Sequence, residues 1–227
     1  MRILAFDTTT KFLSVAVLGG DDILSTYHRD LGMRHEKELI PAIDEVLKES
    51  HLKLKDLDAI AVSIGPGSFT GLRIGVSCAK AFSIASGVPI VTVPTLDVIA
   101  FNYSDNDGYI APILDAKKDK LYSAIYKSTK EDIERITDYF LLGVDDLLDT
   151  IKGPTLFFGD GVEIYGKYMV KRNPLVRLSK DSDWYPRAEI VAKLGIKKHS
   201  KNGYEDVNRV TPMYMHPKEC NVRGFKH

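Results

Sequence analysis

Between an apolar run and a helical pattern, the chain reads Ser63-Ile64-Gly65-Pro66-Gly67-Ser68-Phe69-Thr70-Gly71-Leu72-Arg73-Ile74-Gly75. A glycine loop that leaves a buried strand and opens a helix presents free N–H groups at the positive end of the helix dipole, which suits an anion. Gly65, Gly67 and Ser68 are the candidate contacts. The loop is not a P-loop, because no Gly-Lys-Ser/Thr follows and no lysine is placed to reach a phosphate. It is not the dinucleotide fingerprint either: the spacing is Gly-x-Gly-x-x-x-Gly, and the next acidic residue downstream is Asp97. The plainer reading is a tight strand-to-helix turn with Ser68 as N-cap. Two aspartates end first strands in the same way, Asp7 in ILAFD and Asp115 in IAPILD. They would either hold a metal-bound phosphate across a cleft or cap their own turns.

Other chemistry is weaker. His35-Glu36-Lys37-Glu38 lacks the second histidine, four residues on, that a helical zinc site requires; position 39 is Leu39. The segment reads as a solvated helix start with acidic first-turn residues. His28, His51, His199, His216 and His227 show no ligand spacing, and no Ser/His/Asp or Cys/His set stands out. Cys78 falls on the apolar arc of a helix and reads as core. No catalytic residue and no metal ligand is assigned.

The helix after the glycine loop has a further property. Gly71, Gly75, Ala79 and Ser83 recur every four residues. Each interior glycine costs about 1 kcal/mol relative to alanine, so close packing must offset it. With Leu72, Ile74, Val76, Cys78 and Phe82 the apolar or small arc spans roughly 200°, against the ~100° that a surface helix buries. Such a helix is covered on two sides. One cover is its own sheet; the other is a neighbouring helix or a second protein. Gly71, Leu72, Gly75, Val76, Ala79 and Ser83, joined by Leu39, Ile43 and Val46 of the preceding helix, form the expected partner-docking surface.

The elements that position these residues follow from periodicity. Strands are expected at Arg2–Asp7, Phe12–Leu18, Ile23–His28, Asp58–Ile64 and Pro89–Val93, with helices at His35–Ser50, Phe69–Ser86 and Thr95–Phe101. After the turn-rich Asn102–Gly108 the order returns: strands at Tyr109–Leu114, Lys120–Tyr126, Ile133–Leu142 and Thr155–Phe158, helices at Val144–Ile151 and Val162–Val170. In both copies the fourth strand runs into glycines, here Gly159-Asp160-Gly161. The expected organisation is a duplicated α/β unit, residues 1–102 and 103–227.

Composition bounds the rest. The 227 residues hold 31 Lys+Arg and 31 Asp+Glu, so bulk charge does not mark a nucleic-acid binder. From Arg187 onward, nine Lys/Arg stand against four Asp/Glu, a local +5. This tail reads as a solvated surface helix plus a loose end, or as an RNA contact. Two distant cysteines fit a reducing compartment, and no apolar run approaches the ~20 residues that span a bilayer, so a cytosolic protein without membrane contact is expected.

ILAFDTTT, RHEKELIP, SIGPGSFTGLRIGVS, PTLD, ILDAKKDKLYSAIY, FFGDG and VTPMYMH together resemble the TsaB (YeaZ) family over essentially the whole chain. The resemblance implies the actin, sugar kinase and Hsp70 fold, two βββαβα units, and a non-catalytic role in making threonylcarbamoyladenosine in tRNA. It implies TsaD and TsaE as partners, with ATP and metal on those subunits and none on this one, tRNA reached through the complex, and a homodimer when TsaD is absent. In the superfamily, Asp-x-Gly loops wrap ATP phosphates; here Thr9 and Lys117 replace the glycines, so Asp7, Thr8, Asp115, Gly159 and Gly161 would line a vestigial site. The family's usual Pro-x-Tyr-Leu-Arg ending is Pro212-Met213-Tyr214-Met215-His216. An active small-molecule kinase or ATPase of the same fold is the alternative; a protease lacks its constellation.

Overall fold

The computed structural model describes residues 1–32, 34–129, 133–180 and 184–216. Strands β1 (Arg2–Asp7), β2 (Phe12–Gly19) and β3 (Asp22–Asp30) form an antiparallel meander, followed by α1 (His35–Glu49), β4 (Ala59–Ser63), α2 (Phe69–Ser86), β5 (Ile90–Val93) and α3 (Thr95–Phe101). The sheet order is β3-β2-β1-β4-β5, with β1, β4 and β5 parallel. The chain then repeats the plan with β6 (Asp107–Lys117), β7 (Lys120–Ser123), β8 (Tyr126–Thr129), β9 (Ile133–Arg135), β10 (Phe140–Leu142), α4 (Val144–Thr150), β11 (Thr155–Phe158), α5 (Gly161–Arg172), β12 (Val176–Leu178) and α6 (Ala188–Asn202). Its order, β10-β7-β6-β11-β12, matches the first sheet strand for strand. The fold is an actin-like α/β fold.

The second sheet departs from expectation at one edge. Lys120–Tyr126 is not one strand, nor is Ile133–Leu142. β6 is 11 residues long and takes two partners in succession, β8 along Asp107–Ile110 and β7 along Ile113–Lys117. The chain must therefore break at Ala124-Ile125 to move between them, and β8–β9 becomes an added hairpin.

Alternation along the central strands decides where the helices sit. Leu4, Phe6, Ile60 and Val62 face one layer, which holds Leu39, Ile43 and Val46 of α1 and Val76 and Ala79 of α2. Ile3, Ala5, Ala59 and Ala61 face the other, which holds Ala188, Val191 and Ala192 of α6. The alanines let α6 approach closely: a Cβ at Gly195 would lie 3.0 Å from that of Ala61. The reading of α6 as a solvated surface helix is thus corrected, since Ala188, Val191, Ala192 and Gly195 make an apolar stripe at helical spacing and are buried. In exchange, Leu96, Ile99 and Ala100 of α3 enter the core of the second sheet. The packing units interleave across the sequence boundary near residue 102. Residues 217–227, the expected loose end, lie outside the described residues.

Candidate functional site

β1 delivers Asp7 to the end of the first sheet, fully buried. The turn that follows folds back on it: the Thr9 N–H donates to Asp7 Oδ1 at 2.8 Å, and the Thr9 hydroxyl donates to the same oxygen at 2.9 Å. Burial pushes the Asp7 carboxyl above its ordinary range, opposed by the nearby Ser63 hydroxyl, by the hydrogen bonds from Thr9 and by the nearby His35. His35 is not the solvated helix start expected; it is completely buried, and its Nε2 lies 2.7 Å from the Thr10 carbonyl. Only Glu36 and Lys37 of that turn are exposed. No sequence signal distinguishes this histidine, because its partner is a backbone carbonyl 25 residues away.

The glycine loop packs directly on the Thr8-Thr9-Thr10 turn. Ser68 N–H donates to the Thr9 carbonyl at 2.7 Å, the Thr8 hydroxyl donates to the Gly71 carbonyl at 2.7 Å, and a Cβ at Gly67 would stand 2.5 Å from Thr9 O. Ser68 caps α2 as expected, its Oγ accepting from Gly71 N at 3.2 Å. Asp7, Thr8, Gly67 and Ser68 are therefore brought together, with the chain's own threonines filling the loop. Gly65 is turned the other way, its carbonyl accepting from Thr95 N at 2.8 Å.

The second half assembles separately. Asp115 N–H donates to Asp160 Oδ1 at 2.9 Å, while Lys117 N donates to Asp115 Oδ1 at 2.8 Å and the Lys117 ammonium pairs with the same carboxylate. Lys117, Lys118 and Asp119 all adopt left-handed backbone, a tight turn where glycine would be unstrained. Gly159, at φ 104°, packs on Ile113 so closely that a side chain would strike its carbonyl. Burial pushes the Asp160 carboxyl up to about 6. Beside these groups, Lys11 lies 4.9 Å from the Tyr185 ring centroid and 3.6 Å from Asp30. Lys11 and Tyr185 were not singled out from sequence, being 174 positions apart.

The partner surface requires correction. All nine residues assigned to it are buried within this chain: Leu39, Ile43, Val46, Leu72, Val76, Ala79 and Ser83 by their side chains, Gly71 and Gly75 by close approach to Thr8. The small stripe exists because α2 presses on the β1 turn and on β4. The second cover needed by the wide arc is also internal. Residues 207–214 cross α2, with Val207 and Val210 joining the core beside Ile74, Cys78 and Phe82, and Lys80 donating to the Val210 carbonyl at 3.2 Å. The strap is pinned where Arg73 Nε donates to the Tyr214 hydroxyl at 3.0 Å and Met213 N donates to Ile64 O at 2.7 Å. It ends with His216 Nε2 3.1 Å from the Ala116 carbonyl, the place where the family pattern has arginine. Cys78 is half-buried, and burial pushes its thiol up to about 11. What α1 and α2 do expose is Ile40 at 51%, Phe69 at 54% and Ile84 at 70%. Among the described residues, no group of three or more His, Cys, Asp or Glu is placed to hold a metal ion, and no helix is long and apolar enough to cross a membrane.

Known proteins match this architecture. Residues 29–171, well over half of the chain, match the family described as "TsaD: tRNA N6-adenosine threonylcarbamoyltransferase". The chain is 30% identical to the tRNA threonylcarbamoyladenosine biosynthesis protein TsaB of Bacillus subtilis, over 100% of this chain and 99% of that one. Its fold is that of YeaZ from Pseudomonas aeruginosa, with a TM-score of 0.81 at 24% identity, covering 94% of this chain and 99% of that chain. A more remote likeness, TM-score 0.51 at 12% identity over 88% of this chain, is to (R)-2-hydroxyglutaryl-CoA dehydratase component A of Acidaminococcus fermentans, all of which is covered. With 30% identity to one relative over essentially the whole length of both chains and a family match over residues 29–171, the chain belongs to the TsaB (YeaZ) family.

Proposed function

We propose that this chain is a cytoplasmic, non-catalytic subunit in the synthesis of threonylcarbamoyladenosine in tRNA, one that docks TsaD and acts with TsaE while ATP and metal reside on those partners. The observation that carries this reading is the filled loop at Asp7. Thr8, Thr9 and Thr10 occupy the turn where the superfamily brings backbone N–H groups to phosphates; the Thr9 N–H is spent on Asp7, the Thr8 hydroxyl on the Gly71 carbonyl and the Ser68 N–H of the glycine loop on the Thr9 carbonyl. Lys117, paired to Asp115, closes the opposite loop. A chain so arranged keeps the fold for its surfaces. The outer faces of α1 and α2, with Ile40 and Ile84 exposed, are the surface we assign to TsaD, and to a second copy when TsaD is absent.

Two measurements on the purified full-length chain test the reading. Titration calorimetry with ATP and magnesium should give no binding at micromolar concentrations, and mixing with TsaD should give a complex in gel filtration. Tight ATP binding with steady turnover, without association with TsaD, would favour an active kinase or ATPase instead.

A further inference from the structure

The second unit repeats the helix pair of the first. In the matching sheet orders, α4 and α5 stand where α1 and α2 stand. α5 turns Gly161, Val162, Gly166 and Met169 to the core. Away from that side, Ile164 is 57% and Tyr168 46% exposed, four residues apart and therefore one apolar ridge. The ridge is held in place. The Tyr168 hydroxyl donates to Asp145 Oδ1 of α4 at 2.7 Å, and Arg172 Nε lies 3.6 Å from the same oxygen. Asn173 Nδ2 donates to the Leu148 carbonyl at 3.3 Å, tying the end of α5 to α4. A tyrosine fixed before contact loses little freedom when a partner covers it.

The two flanks of the ridge carry opposite charge. α4 borders the Tyr168 side and exposes Asp145, Asp146 and Asp149. On the other side α5 exposes Lys167 and Lys171, which lie about 60° round the helix from the ridge. Asp145 is taken up by Tyr168 and Arg172, whereas Asp146, Asp149, Lys167 and Lys171 enter no ion pair among the described residues. Glu163, one turn before Lys167, stands at the N-terminal end of α5 near Asp160 and Lys11.

An apolar ridge with one sign of charge on each flank fits a copy of itself. A two-fold axis parallel to α5 lays the lysine flank of each chain on the aspartate flank of the other, with the ridges between them. Each opposite-charge contact is then made twice. A partner of a single charge would meet repulsion along one flank.

We propose that the α4–α5 face is a self-association surface, on which a second copy of this chain docks through Ile164 and Tyr168, with Lys167 and Lys171 against Asp146 and Asp149 of that copy. It is separate from the α1–α2 face and does not depend on what docks there.

The test isolates the face in the full-length chain carrying Ile40→Glu and Ile84→Asp, which spoil the apolar contacts of α1–α2. Sedimentation equilibrium of this background should give twice the chain mass at tens of micromolar. Two charge-reversed chains are then made in it: Lys167→Glu with Lys171→Glu, and Asp146→Lys with Asp149→Lys. All four positions are exposed, and melting temperatures are measured first. Each reversed chain alone should dimerise at least tenfold more weakly, because like charges oppose on both flanks. An equimolar mixture should recover the dimer, pairing a mostly acidic face with a mostly basic one. Ile164→Asp should give a folded monomer. A background chain that is monomeric throughout would overturn the proposal. So would reversed chains that dimerise like the background, or a mixture that stays monomeric. Loss of TsaD association with the dimer intact would give the face to TsaD and overturn it as well. Should a reversed chain fail to melt cooperatively, Ile164→Asp decides: an unchanged dimer refutes the surface, and a folded monomer supports it.

Discussion

A Cβ on Gly75 would stand 2.5 Å from the hydroxyl oxygen of Thr8. That hydroxyl cannot swing away freely, because it donates to the Gly71 carbonyl at 2.7 Å. Gly71 is held more severely, since its missing Cβ would collide with the backbone carbonyl of Thr8. The two glycines and one threonine are thus a single packing unit joining α2 to the β1 turn.

A double-mutant cycle follows from this. Gly75→Ala should destabilise the chain by about 1–3 kcal/mol, overpacking outweighing the gain in helix propensity. In a Thr8→Ala background the same change should cost much less, since the opposing oxygen is gone. Gly71→Ala should stay costly in both backgrounds, because the carbonyl remains. Urea denaturation of the set gives the coupling. Equal costs for Gly75→Ala with and without Thr8 would refute the unit.

The docking face is separable from the core. Ile40→Glu and Ile84→Asp place charge on exposed positions and should alter stability by no more than about 0.5 kcal/mol. TsaD association should weaken at least tenfold, read by titration calorimetry. Normal association by both variants would remove α1 and α2 from the interface. Gly75→Leu is uninformative here, because it disrupts the buried face first.

Asp160 sets a pH dependence. Its carboxyl is raised from the ordinary 3.8 to about 6 by burial, so the fold favours the protonated form. The stability it contributes is complete below pH ~4 and is lost as pH rises through about 6. Asp160→Asn keeps an oxygen for the Asp115 N–H. It should therefore be more stable than the parent above pH 6, by roughly 1–3 kcal/mol, and equal to it near pH 4. Urea midpoints at the two pH values check this; a variant weaker than the parent at pH 7.5 would contradict it.

His28 acts in the opposite sense. It stacks on Phe12 at 4.8 Å, and burial, then the nearby Arg187, pull its imidazole down to about 4. The neutral ring's contribution is present above pH ~6.5 and lost as pH falls through about 4. Replacing His28 by Phe should flatten the stability profile across that window by about 1–2 kcal/mol, allowing for the ring's partial exposure. An unchanged acid slope would show that His28 does not titrate with unfolding.

Local patterns carried much of this architecture. The apolar alternation of β1 and β4, the Ser68 cap and the repeated strand order are written in adjacent residues, and the collinear motifs pointed to the family before any contact was known. The small stripe of α2 was equally legible as a demand for close packing, since two helix-interior glycines have to be offset by something. What satisfies the demand was not legible. The partner is a turn more than 60 residues earlier, and the arc's second cover is a strap from beyond residue 206. Periodicity says which face of a helix is buried and not what buries it. The same limit hid His35, whose ring is held by a backbone carbonyl, and split Lys120–Tyr126, where one long strand serves two neighbours. It also made α6 read as a solvated surface helix, although Ala188, Val191, Ala192 and Gly195 recur at helical spacing. Only the return of that helix to the first sheet, through pairings far apart in the chain, decided which face met solvent.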